Sequence, residues 1–207
     1  MAVFGMAPGG FDGPPRVSSC AVSMNRLPTR LEGLVLLAPA VHGDERGFFL
    51  ETYREESWSA EGVDTRFVQD NHSRSRRGTL RGIHFQTHPG QGKLVRVARG
   101  HVLDVVVDLR RGSPSFGEWE GFELDDEHGH QLYIPVGFGH GFCVRSETAD
   151  FVYKCTNYYD GATESGIRFD DPDVGIEWPT GFELLCSQRD REAPLLADVA
   201  DSLPFTV

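Results

Sequence analysis

Two histidines in this sequence sit where the neighbouring residues would aim them at something. His84 lies in Arg81-Gly-Ile-His84-Phe-Gln86, inside an apolar run that reads as a strand. His140 lies in Pro135-Val-Gly-Phe-Gly-His140-Gly-Phe142, where proline and glycine set a tight turn into the next strand. An imidazole in such a place can hold a metal or move a proton near neutral pH. A metal centre needs several ligands converging on one ion. Here Phe85-Gln86 follows His84 without a second ligand, and Lys93 adds a cation further along. An added cation works against a divalent ion, so no metal is expected even with His88 as a substitute ligand. His42, His72, His101, His128 and His130 have no comparable setting and read as ordinary core or turn residues.

The elements that must position these histidines are strands. Short runs of Val, Ile, Leu, Phe and Tyr recur between turn residues from Leu34 onward. They fall at Leu34–Val41, Gly47–Tyr53, Phe67–Asn71, Thr79–Phe85, Lys93–Ala98, Val102–Leu109, Gly121–Leu124, Gln131–Ile134, Gly141–Val144 and Phe151–Thr156. In Val102-Leu-Asp-Val-Val-Val-Asp-Leu109, alternation puts Asp104 and Asp108 on one face and Leu103, Val105, Val107 and Leu109 on the other. Helix is expected only near Glu55–Glu61 and after Asp190, the latter with Asp190 as its N-cap. About ten short strands in one domain predict an all-β fold, a jelly roll or barrel with a few short helices.

Composition bounds the partners. The chain has 207 residues, enough for one domain with a sizeable core. Its net charge of −11 argues against nucleic acid or an anionic membrane as partner. Basic residues nonetheless cluster at Arg74-Ser-Arg-Arg77, Arg81, Lys93, Arg96 and Arg99, so a pocket for a small anion is compatible with the acidic surface. Cys20, Cys143, Cys155 and Cys186 show no framework spacing, and no apolar run approaches a membrane span, so the expected address is the cytoplasm. Residues 1–23, rich in Gly, Pro, Ser and Ala, read as a disordered or over-extended tail before a single domain at 24–207.

Pro-x-Gly-x-x-His is the second half of the cupin signature, and the sequence around it resembles one family in particular. The matching segments are Gly43-Asp-Glu-Arg-Gly-Phe-Phe-Leu-Glu51, Phe67-Val-Gln-Asp-Asn-His-Ser73, Leu80-Arg-Gly-Ile-His-Phe-Gln86, Gln91-Gly-Lys-Leu-Val-Arg96 and Ile134-Pro-Val-Gly-Phe-Gly-His-Gly-Phe142. They continue with Tyr153-Lys-Cys-Thr156, Asp171-Pro172 with Ile176-Glu-Trp-Pro179, and Ser187-Gln-Arg-Asp190. In that order they resemble the dTDP-4-dehydrorhamnose 3,5-epimerase family, from about Leu34 to Leu196.

The resemblance implies a cupin-like jelly roll, no cofactor, and a dTDP-linked 4-keto-6-deoxy sugar as substrate. Its ketone acidifies the protons on the two neighbouring carbons. Epimerisation at C3 and C5, or at C3 alone as in near relatives, rather than metal-dependent oxygenation or mere sugar binding, then needs a base, a group to stabilise the enolate oxygen, and an acid on the opposite face. By position, His84 matches the base, Asp190 its carboxylate partner, Lys93 the cation beside the keto oxygen and Tyr153 the acid. Arg46, Glu51, Gln69, Asn71, Arg81, His140, Tyr159 and Arg189 match positions that hold the diphosphate, base and sugar, and Phe49 could stack on a pyrimidine. Tyr158 beside Tyr159 leaves that register open. Family members place several of these residues in a neighbouring subunit's barrel, which implies a homodimer. The sequence departs from the pattern in a loop between His84 and Lys93 one residue shorter, in Phe85 where tyrosine is frequent, and in residues 1–23, which have no counterpart.

Overall fold

The computed structural model describes residues 24–207, and the tail expected at 1–23 lies outside the described residues. The first part of the chain forms β1 (Asn25–Leu27), β2 (Val35–Ala38), β3 (His42–Asp44), β4 (Gly47–Phe49) and α1 (Glu55–Ala60). The barrel strands follow: β5 (Gln69–Arg76), β6 (Leu80–Gln86), β7 (Lys93–Arg99), β8 (His101–Asp108), β9 (Trp119–Asp125), β10 (Gln131–Ile134), β11 (Phe138–Val144), β12 (Thr148–Cys155) and β13 (Glu164–Gly166). Two short helices, α2 (Gln188–Arg191) and α3 (Leu196–Val199), end the chain.

A six-stranded sheet in the order β1-β2-β10-β7-β12-β5 faces a five-stranded sheet in the order β13-β6-β11-β8-β9, and every pairing within them is antiparallel. This is a cupin-like jelly roll. The hairpin β3–β4 stands apart from both sheets. No helix among the described residues is long and apolar enough to cross a membrane.

Each strand run read from the sequence contains a strand. Four differences stand out. β5 continues to Arg76 through Ser-Arg repeats, because antiparallel pairing with β12 from Gln69↔Cys155 to Arg76↔Thr148 supplies the hydrogen bonds that composition does not advertise. Beyond Phe49 the expected Gly47–Tyr53 strand is no longer paired, and β1, β3 and β13, of three residues each, are too short to show periodicity. Asp190 is not a helix cap: Ser187 caps α2 and accepts a hydrogen bond from the Asp190 amide.

The core lies between the sheets. Val95, Val97, Val102, Val106, Leu132, Ile134, Phe142 and Phe151 interdigitate there, with the Phe142 and Phe151 rings stacked at 4.1 Å. Burying one such side chain contributes about 1.5–3 kcal/mol. Two further clusters cover the outer faces, one around Trp58 of α1 and one where the C-terminal segment lays Leu196, Leu203 and Phe205 over β8 and β6. The face of β8 that carries Asp104 also carries Val102 and Val106, so it is the interior face of the barrel. Between β6 and β11 the backbones approach closely. A Cβ on Gly139 would meet Ile83 Cγ2 at 2.5 Å, and one on Gly141 would meet the Arg81 carbonyl oxygen at 2.8 Å. A bulge at this contact leaves His84 directly opposite His140 in the ladder.

The β5–β12 edge is fastened by Arg74, whose Nε and Nη2 donate to the two oxygens of the buried Asp150 at 2.6 and 2.7 Å. The Arg74 hydrogen bond is the chief cause that holds the Asp150 carboxyl at about 2, below its ordinary 3.8. A group with a depressed folded value adds stability above its unfolded value, and that stability is lost as pH falls through the folded one. Asp150→Asn is therefore expected to unfold at lower urea than the parent at pH 7, with the gap closing between pH 4 and pH 2. A gap that stays constant over that range would refute the assignment.

Candidate active site

The four proposed catalytic side chains converge from separate elements on the barrel interior. His84 projects from β6 of the five-stranded sheet, and Tyr153 and Lys93 project from β12 and β7 of the six-stranded sheet. All three line a cavity of about 330 Å³, together with Arg81, His140, Arg189 and Asp190. A second cavity of about 230 Å³ adjoins it at His84, Lys93 and Tyr153, and adds Gln69, Asn71, Tyr159 and Glu164. A base and an acid on opposite walls of one cavity is what inversion at carbon requires.

Asp190 reaches His84 from α2. His84 Nε2 and Asp190 Oδ1 are 2.7 Å apart, and Asp190 is 5% exposed. Burial alone would raise the Asp190 carboxyl, but the His84 hydrogen bond and charge, the Ser187 hydroxyl and the Gly82 amide outweigh it, and the group stays below its ordinary value. An ionised carboxylate on Nε2 makes that nitrogen the proton-bearing one. Nδ1, which makes no hydrogen bond among the described residues, is left with its lone pair. Gly166 of β13 lies opposite His84 in the ladder, and a Cβ there would sit 2.6 Å from the Ile83 carbonyl oxygen. Only glycine lets this edge strand close against the histidine.

Lys93 makes no hydrogen bond or ion pair among the described residues. Burial lowers its ammonium, opposed by Cys155 and by the carboxylates of Glu164 and Asp104. A cation sunk in a cavity without a partner is poised for an anion that arrives from outside. Tyr153 is pushed above its ordinary value, chiefly by burial, so its phenol carries a proton at neutral pH. Its neighbour Cys155 is buried and pushed up to about 11, which keeps the thiol protonated and unreactive.

His140 is held from behind. Its Nε2 lies 2.8 Å from Asp104 Oδ2, both residues are buried, and Asp104 Oδ1 has no partner among the described residues. Burial pushes the His140 imidazole down and the Asp104 carboxyl up. The two facing histidines are thus committed to different carboxylates, and among the described residues no three His, Cys, Asp or Glu side chains converge as a metal-ligand set.

Of the substrate-contacting positions implied by the resemblance, Arg81, His140 and Arg189 border the first cavity and Gln69, Asn71 and Tyr159 the second. Tyr159, rather than Tyr158, borders the second cavity: though 56% exposed, its hydroxyl donates to Glu164 Oε2 at 2.8 Å and its amide to Gln69 Oε1 at 2.9 Å, while Tyr158 is 71% exposed. Arg46, Phe49 and Glu51 line neither cavity. Arg46 pairs with Asp44 on the exposed β3–β4 hairpin, Phe49 is 69% exposed, and Glu51 is bound by Arg54. Sequence reasoning missed three groups at the site: Asp104, Glu164 and Ser73, whose buried Oγ has no partner and borders the first cavity. An aspartate in so apolar a strand as β8 was the one available signal.

A jelly roll whose cavity is lined by a carboxylate-bound histidine from one sheet, and by a tyrosine and a lysine from the other, is the setting of a cupin-type isomerase. The comparisons with known proteins give the particular family. A family model described as dTDP-4-dehydrorhamnose 3,5-epimerase matches residues 28–198. The chain belongs to the dTDP-4-dehydrorhamnose 3,5-epimerase family. It is 49% identical over 165 residues to the dTDP-4-dehydrorhamnose 3,5-epimerase of Methanothermobacter thermautotrophicus, covering 79% of this chain and 89% of the relative. It is 46% identical over 181 residues to a dTDP-4-dehydrorhamnose 3-epimerase of Streptomyces niveus, covering 86% and 87%. A dTDP-6-deoxy-D-glucose-3,5-epimerase from Legionella pneumophila, solved with dTDP-4-keto-L-rhamnose, superposes with a TM-score of 0.87 at 45% identity, covering 89% of this chain and 99% of that one.

Proposed function

We propose that this chain epimerises dTDP-4-dehydro-6-deoxy-D-glucose at C3 and C5 to dTDP-4-dehydro-L-rhamnose, with His84 as base and Tyr153 as acid. The observation that carries the reading is the pair of opposite walls: a histidine with one nitrogen fixed by Asp190 on one, a protonated, partly buried phenol on the other. His84 Nδ1 takes the proton from the carbon beside the ketone, and the electron pair moves onto the keto oxygen. Lys93, without a partner of its own, meets that oxygen as its charge develops. Tyr153 returns a proton to the carbon from the other side, inverting it. The imidazolium, steadied by Asp190, and the tyrosinate then exchange with solvent, and the cycle repeats at the second carbon.

Arg81 and Arg189 suit the diphosphate, since a guanidinium fork binds phosphate oxygens in pairs. Gln69, Asn71 and Tyr159 bound the adjoining space and His140 the interior. Arg46, Phe49 and Glu51, away from the chain's own cavity, are proposed to serve a second copy in a homodimer, which the exposure of Phe48 and Phe49 favours. Three free thiols among the described residues favour the cytoplasm.

The test is incubation with dTDP-4-dehydro-6-deoxy-D-glucose in deuterium oxide, followed by proton NMR. Deuterium at both C3 and C5 with the L-configured product is expected. Inversion confined to C3 would place the chain with the 3-epimerases, and no exchange at either carbon would refute the reading. Because no three His, Cys, Asp or Glu side chains converge as a metal-ligand set among the described residues, turnover is expected to survive exhaustive chelation unchanged. A loss restored by one added metal would overturn that expectation.

A further inference from the structure

Asp190 reaches His84 from a strap, residues 185–196, that lies outside both sheets. The strap is clamped at both ends. At its start the Leu185 amide donates to the Gly78 carbonyl at 2.7 Å, and the Leu185 carbonyl accepts from the Leu80 amide at 3.0 Å. At its far end the Pro194 carbonyl accepts from the Arg168 amide at 2.9 Å, and the Leu196 amide donates to Asp171 Oδ2 at 2.6 Å. Both clamps lead back to β6, the strand that carries His84. Gly78 and Leu80 flank its start, and Ile167, beside Arg168, exchanges both backbone hydrogen bonds with Ile83. One strand thus places the histidine directly and its carboxylate partner through two anchors.

Asp171 makes the second anchor. It is 2% exposed, and both its oxygens are taken by backbone amides, Oδ1 by Asp173 at 2.9 Å and Oδ2 by Leu196. Its own carbonyl accepts from the Gly175 amide at 2.9 Å, which fixes the turn that aims the carboxylate. We propose that Asp171 is a positioning residue for the catalytic pair: by holding the Leu196 amide it fixes the far end of the strap, and with it the contact of Asp190 with His84. The proposal rests on the reading that His84 is the base and Asp190 its partner. The helix that carries Asp190 has four residues, far fewer than a helix needs to persist alone, so its place is set by what holds its ends. Only residues 191–195 separate Asp190 from the anchor, so a shift at Leu196 is passed on with little slack. A misplacement of about 1 Å at a catalytic contact can cost about 10²-fold in rate. Asparagine at 171 would turn an NH2 toward one of the two amides and give up one of the two bonds.

The experiment compares wild type, Asp171→Asn, Asp190→Asn and the double variant by steady-state turnover, deuterium exchange at C3 and thermal melting. The proton on His84 Nε2 is followed by proton NMR, where its hydrogen bond to a carboxylate moves it downfield and slows its exchange with water. Asp171→Asn is expected to lower kcat and C3 exchange about tenfold or more and to broaden or remove that signal, in a protein that still melts cooperatively. In the Asp190→Asn background the same substitution should cost less than about twofold in kcat, because the contact it sets is already gone. A second variant inserts one glycine between Glu192 and Ala193, neither of them buried. It leaves every bond of Asp171 in place and slackens the strap, and it should lose kcat and the signal alike, so it decides alone should Asp171→Asn fail to fold. Equal losses in both backgrounds, or wild-type kcat in either strap variant, overturn the proposal. A lowered melting temperature with kcat and the signal unchanged also overturns it, by leaving Asp171 a purely structural residue. A wild-type protein that exchanges neither C3 nor C5 refutes the reading of His84 itself, whereas normal wild-type exchange with indifferent variants refutes only the role of Asp171.

Discussion

His84→Asn is expected to abolish epimerisation and the exchange of the sugar's C3 and C5 protons for deuterium together. An amide cannot accept a proton at neutral pH, so no enolate forms, and every later step is starved. Positioned general bases contribute about 10²–10⁴-fold, so turnover should fall by at least that much. The substitution also leaves Asp190 buried without its imidazole, and melting temperature and dTDP affinity must be followed to separate lost chemistry from lost structure. Retained dTDP binding with no exchange at either carbon is the expected combination. Exchange at wild-type rate would transfer the base to another group, with His140 the nearest candidate across the ladder.

Tyr153→Phe should fail differently. His84 still removes the proton and Lys93 still meets the enolate oxygen, so deuterium enters the sugar. With no phenol on the far wall, the proton returns mostly from the side it left. Inversion is expected to fall about 10²-fold or more while exchange at C3 falls by less than tenfold. Binding should change little, because the ring still packs beside Phe151. Equal loss of exchange and inversion would reduce Tyr153 to a packing residue and move the search for the acid to Tyr159, whose hydroxyl is held at Glu164.

How much of this was legible in the sequence follows from what each residue's neighbours reveal. β8 announced itself by alternation, and His84 and His140 by motifs that tie a histidine to glycine and a strand. β5 hid behind its serines and arginines, because its pairing partner β12 lies some eighty residues away in sequence and only the ladder explains it. The roles of Lys93 and Tyr153 came from family resemblance, since a strand lysine and a core tyrosine have no pattern of their own. Asp104 and Glu164 were missed for the same reason. Their meaning lies in contacts with His140, Arg189 and Tyr159, none adjacent in sequence. Arg46 and Phe49 of the hairpin, and Glu51 just beyond it, show the opposite case: their motif reads clearly, but a single chain does not carry them to its own cavity.

The histidine and its carboxylate are separated by 106 positions, and the carboxylate comes from α2, after all the strands of both walls. Domains fold as the chain is synthesised, N-terminal parts first. During translation, then, the two walls emerge before the residue that chooses the imidazole's proton-bearing nitrogen. A nascent chain halted short of Ser187 would carry His84, Lys93 and Tyr153 but leave the ring free to sit in either tautomer. The partner that fixes the imidazole's tautomer is thus made only after both walls of the cavity.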